Sequence, residues 1–178
     1  MLKYKLQGVS QFKKEYLKEG VYLILLNALK VPPHLLLVVS GKVFSISTLG
    51  PALDEEVDKY LRLIDKKKLP TLFVKLSLPD IFTKEDLLEK VRSITSSYPR
   101  VDVGLVTCLN PIKDFCSDIY AVDKDQINLV FDLLDELQLQ NSIEGYFHMN
   151  LNREIHNGEI FIEKYSIFEV NEAIHALV

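Results

Sequence analysis

Two side chains stand where their surroundings in the sequence would give them chemistry: His34, at the mouth of an apolar strand, and Cys108, where an extended segment is predicted to hand over to a helix. A thiol with a pKa of about 8.5 is only slightly ionised at neutral pH, but a helix N-terminus and an imidazole partner together lower that value by several units and generate the thiolate. Position therefore decides reactivity. In Val106-Thr107-Cys108-Leu109-Asn110-Pro111 the Asn-Pro pair signals a helix start. Cys108 would then lie among backbone N–H groups able to stabilise a thiolate and later an oxyanion. Cys116 falls about two turns further on, flanked by Phe115 and Ile119. There the dipole's help has faded, and a buried thiol is inert.

Other chemistries are poorly provided for. The chain contains no G-x-x-x-x-G-K-[ST], no G-x-G-x-x-G after a strand, no H-E-x-x-H and no G-x-S-x-G. Its two cysteines are separated as C-x7-C, unlike the short knuckles of structural zinc, and are too few for a disulfide scaffold. Free thiols in a reducing, cytoplasmic compartment are expected. His148 and His156 belong to a tail hairpin and His175 to the last helix, with no carboxylates placed to complete a metal site; no metal and no cofactor are expected. Asp54-Glu55-Glu56 and the group Asp132, Asp135 and Glu136 read as solvated helix faces or first turns rather than as a glycosidase pair. A formal net charge of −4 offers no basic surface for a phosphate backbone, which excludes nucleic acid as an expected partner. The run Lys66-Lys67-Lys68 fits the negative end of a helix dipole.

The elements that must position these groups follow from patterning. With 48% apolar and 26% charged residues, the chain has the make-up of an ordinary globular domain and no room for a large disordered tail. Val21 to Val39 is apolar enough to suggest a membrane span, but Asn27, Lys30, Pro32-Pro33 and His34 interrupt it. It divides instead into two buried strands, Val21 to Leu26 and Leu35 to Val39. Ser40-Gly41-Lys42 turns the chain into Val43 to Thr48, completing a three-stranded antiparallel meander over residues 21–48. Before the meander, Ser10 is expected to cap a short helix ended by Gly20, and no apolar run of signal-peptide length precedes it. Beyond it, Val57, Tyr60, Leu61 and Ile64 mark a helical stripe, and Thr71 to Leu76 a strand. Thr83 and Asp86 propose a capping box, with Leu87, Leu88, Val91 and Ile94 facing inward. Val101 to Val106 is expected to be extended, and a helix to run from Asp123 to Leu137. In the tail, Asn157-Gly158 makes a hairpin turn between Tyr146 to Ile155 and Ile160 to Tyr165, and Ser166 with Glu169 caps a final helix to about Ala176. The expected class is α+β: an antiparallel sheet packed against helices, ending in a β-hairpin and a helix. Residues 1–178 read as one domain, with 143–178 as a candidate C-terminal subdomain.

The segments Gly20 to Leu25, Pro32-Pro33-His34-Leu35-Leu36-Leu37-Val38-Val39 and Gly41-Lys42-Val43-Phe44-Ser45 resemble the histidine-bearing meander of circularly permuted NlpC-type papain-like proteins, the group that includes the lecithin retinol acyltransferase-like families. In that group the histidine precedes a cysteine that opens a helix, which is the order of His34 and Cys108, over roughly residues 20–120. The resemblance implies a thiol hydrolase or acyltransferase acting on the amide or ester carbonyl of a small peptide or acyl substrate. Cys108 would attack and His34 would serve as base and then acid. It also implies a polar third residue on the strand after the histidine, at Ser45 or, alternatively, Ser47. Cys116-Ser117-Asp118 is similar to the C-S-[DEG] signature of other permuted members and keeps Cys116 as the alternative nucleophile. The rival expectation is an inactive α+β domain that binds a protein partner or a small molecule.

Overall fold

The computed structural model describes residues 2–178. Among the described residues, nine strands and five α-helices are laid out as β1 (Lys3–Gln7), β2 (Val9–Gln11), β3 (Val21–Leu26), β4 (His34–Val39), β5 (Lys42–Ser47), β6 (Gly50–Glu56), α1 (Val57–Lys67), β7 (Thr71–Leu76), α2 (Lys84–Ser96), α3 (Leu109–Tyr120), α4 (Val130–Leu139), β8 (Ile143–Met149), β9 (Glu159–Glu163) and α5 (Ile167–His175). A seven-stranded sheet runs in the order β2-β8-β7-β3-β4-β5-β6. Every pairing in it is antiparallel except β2 with β8. The fold is α+β.

The meander of β3, β4 and β5 forms the middle of this sheet, with Val21 opposite Val39 and Leu26 opposite His34. All six residues of β3 are buried because both faces are covered. Val21, Leu23 and Leu25 join a large core with residues of α2, α3 and α4, while Tyr22, Ile24 and Leu26 join a smaller one with Val57, Leu61 and Ile64 of α1. That two-sided burial is why the strand reads as an unbroken apolar run. The same cover explains the apolar stretch from Val21 to Val39, and among the described residues no helix is long and apolar enough to cross a membrane.

Several elements differ from the sequence expectation. Ser10 caps no helix. It lies in β2 opposite Phe147 of β8, and only a 3₁₀ turn, Lys14–Lys18, follows, without a side-chain cap. The helical preference of this segment yields to a strand partner far away in sequence. Asp54-Glu55-Glu56, expected on a helix, belongs to the edge strand β6, where Arg92 grips Asp54 with two bonds of 2.7 Å and Asp54 adopts a positive φ of 54°. Such charge and irregularity suit an edge that must not recruit another strand. Val101 to Val106 joins no sheet and makes one local bridge, Asp102 to Val106. The helix expected from Asp123 is broken: Asp123 caps a 3₁₀ turn at Lys124–Gln126, and the Asp132 carboxylate then accepts the N–H groups of Asn128 and Leu129, starting α4 afresh.

In the tail, Asn157 and Gly158 both take positive φ, and His156 and Glu159 exchange two backbone bonds of 2.9 Å across them. This is the geometry an Asn-Gly turn favours. The flanking strands then separate: β8 lies inside the large sheet between β2 and β7, and β9 pairs with β1. Ser166 and Glu169 form the reciprocal cap of α5.

Candidate functional site

A cavity of about 350 Å³ opens at the end of the sheet where β3 finishes, β4 begins and β5 finishes. His34, Leu35, Ile46 and Ser47 contribute the strand wall, and Thr107, Cys108 and Leu109 bring the start of α3. Val170, Ala173 and Ile174 of α5, with Leu177 just beyond it, form another wall. These four recur at the i, i+3, i+4, i+7 spacing that gives one helical face. Val170 and Ile174 are buried in the large core, and the same face also borders open volume.

His34 is the first residue of β4 and is half-buried. Burial pushes its imidazole below the ordinary histidine pKa, and the Lys30 ammonium pushes in the same direction. The helix starts at Leu109, two residues before the Pro111 start that the Asn-Pro pair signals, so Cys108 occupies the N-cap position of α3, but it makes no capping bond with its side chain. Burial pushes its thiol up, against the lowering effect of the Leu35 backbone N–H and of its own. The helix end is served instead by its neighbours. Thr107 donates to the Asn110 side-chain oxygen from its N–H at 2.8 Å and its hydroxyl at 3.1 Å, and the Leu109 N–H donates to the Thr107 hydroxyl at 3.2 Å. One donor at the helix start that could have faced a thiolate or an oxyanion is thus occupied.

His34 and Cys108 therefore line one cavity, and among the described residues no hydrogen bond joins them. Both are biased to their neutral forms, the opposite of a thiolate–imidazolium pair. Ser45 is not on the cavity wall. It is buried on the α1 side of β5, following Val43 of the smaller core, in reach of the Tyr60 hydroxyl. Ser47, two residues further along, does reach the wall. Cys116 is sealed inside α3 with its thiol pushed up by burial alone. The remaining histidines are scattered: His148 is buried in β8 with Nδ1 unpartnered among the described residues, while His156 and His175 are exposed. No three His, Cys, Asp or Glu side chains among the described residues gather as metal ligands would.

Three contributors escaped the sequence reading. Lys30 looked like loop, although it stands at the cavity rim near His34. Tyr165 read only as the end of an extended run, yet it lines the cavity close enough to Cys108 for a thiolate there to raise its phenol pKa further, after burial. The α5 stripe was visible as periodicity, but periodicity does not say what a face meets. No family model matches the chain, and no curated protein or solved structure matches it.

Proposed function

We propose that this protein binds a small, largely apolar molecule in the cavity between α5 and the end of the sheet. The observation that carries the reading is the α5 stripe, whose Val170, Ala173, Ile174 and Leu177 border open volume. The cavity lies at the small end of the roughly 300–1,000 Å³ typical of ligand sites, and it shares their chemistry of apolar walls with a few polar groups at one side. The partner is thus a small molecule. Both cysteines are free, which fits a reducing setting such as the cytoplasm.

Titration with N-phenylnaphthylamine, a neutral fluorophore that brightens in apolar surroundings, tests the proposal. Saturable binding is expected in the wild type. Ala173→Trp, which fills the cavity from the half-buried side of α5, should weaken it by about tenfold or more while leaving thermal unfolding little changed. Absence of saturable binding, or equal binding by the variant, would refute the reading.

A second reading is favoured by the shared location of His34 and Cys108 on one cavity wall. In it, the Cys108 sulfur attacks an ester or amide carbonyl, His34 takes the thiol proton and passes it to the leaving group, and water then hydrolyses the acyl-enzyme. Such chemistry requires a Cys108 that reacts with iodoacetamide rapidly below neutrality and loses that speed in His34→Ala. The two neutral groups favour binding over this route.

A further inference from the structure

The polar groups of the cavity are not evenly chosen. Acidic residues outnumber basic ones in the chain, 25 to 21, yet among the described residues the cavity wall carries no Asp or Glu. Its titratable members are Lys30 on the β3–β4 connection, His34 at the start of β4, Cys108 at the start of α3 and Tyr165 just before α5. Lys30 is exposed and makes no ion pair among the described residues, whereas nine such pairs tie up other charges. Its backbone N–H donates to the Asn27 carbonyl at 2.8 Å, fixing the turn that holds it at the rim. The cavity is thus apolar along α5 and cationic at the mouth of β4.

We propose that the ligand is a carboxylate-headed aliphatic chain of medium length, its tail along the α5 stripe and its head between Lys30 and His34. The proposal rests on the binding reading above and specifies its ligand. A single negative charge matches the single fixed cation, and a carboxylate accepts hydrogen bonds from both an ammonium and an imidazolium. A volume near the lower limit for ligand sites suits a medium chain better than a long one. Because no carboxylate lines the cavity, a bound head would be the first negative charge His34 meets there. Binding would therefore favour the protonated imidazole and be favoured by it.

Displacement of the neutral fluorophore by decanoate and by decanol, chains of equal length that differ in the head, provides the test. In low salt the wild type should bind decanoate about tenfold more tightly than decanol. Lys30→Glu should remove that preference. The preference should grow as pH falls below the ordinary histidine value of 6.5 in the wild type and stay flat in His34→Gln. Hexadecanoate should displace less well than decanoate. Equal affinity for the two heads, or a preference that survives Lys30→Glu, would overturn the assignment of the head. If the fluorophore binds in an Ala173-dependent manner and neither chain displaces it, the ligand class is wrong and the cavity reading stands; if the fluorophore does not bind at all, both fall together.

Discussion

Two amphipathic helices in this molecule carry similar apolar stripes and use them differently. The inner face of α1, Val57, Leu61 and Ile64, is pressed into the smaller core, with Ile64 wholly inaccessible. Its C-terminal end is held from outside: the Asn150 side chain donates to the carbonyls of Ile64 and Leu69, at 3.3 and 3.0 Å. The face of α5 sends Val170 and Ile174 into the large core but also borders a cavity, and its outer side leaves Phe168 and Ile167 largely exposed. Its side-chain hydrogen bonds are the local cap at Ser166 and one bond from the Gly104 N–H to Asn171, of 3.1 Å. A stripe becomes core when elements behind it fill the space, and a ligand wall when they stop short.

The largest effect should come from damaging the packed helix. Ile64→Ala is expected to lower unfolding free energy by about 2–5 kcal/mol, because a fully enclosed site cannot collapse onto the missing atoms. Ile174→Ala in α5 should cost less in the same denaturant titration, since its buried side chain packs on one side against open volume. Comparable losses at both positions would erase the distinction between the helices. Hydrogen exchange should then separate them further. Amides of α5 should exchange faster than those of α1 and slow on addition of decanol, while α1 amides stay unchanged.

A smaller contrast concerns the two thiols of one helix. Native Cys116 should resist iodoacetamide, and Cys108 should label slowly until the pH exceeds the ordinary thiol range, with a rate indifferent to His34→Ala. Rapid labelling of Cys108 in mild acid, lost in His34→Ala, would instead favour the acyl-transfer reading.

The smallest effect is in pH. Burial depresses the folded pKa of His34, with help from Lys30, and that of His148, against the pull of Glu154. Below the ordinary histidine value of 6.5, the unfolded chain binds protons that the folded one does not, so stability should fall with falling pH until the depressed pKa is passed. The slope is at most about 1.4 kcal/mol per pH unit for each histidine. His34→Gln should flatten part of it, and added decanoate should do the same by restoring the His34 proton. An unaltered slope in both would show that His34 is not the group concerned.

How much of this was legible in the sequence depended on how local the deciding signal was. β3, β4, β5 and β7 announce themselves through apolar runs between breakers, and α2 and α5 through capping boxes whose partners stand three residues apart. β1 and β2 could not be read, because their partners lie far along the chain, with Lys3 opposite Glu163 and Val9 opposite Tyr146. β6 was hidden by Pro51 and by three consecutive acidic residues on a half-exposed edge. At the site, the strand entrance singled out His34, and the Asn-Pro pair put the start of α3 near Cys108 but two residues late, at Pro111 rather than Leu109. Ser45 was misleading because position along a strand does not reveal that the neighbouring face belongs to α1. Lys30 and Tyr165 matter only through where distant segments converge, which no spacing encodes.

Whether the α5 face is a ligand wall can be read from the methyl NMR signals of Ala173, Ile174 and Ile64 during titration with the neutral fluorophore. Saturable shifts at Ala173 and Ile174 with one common affinity, and an unmoved Ile64, are expected. Shifts absent from α5, or spread equally to Ile64, would contradict the ligand-wall reading.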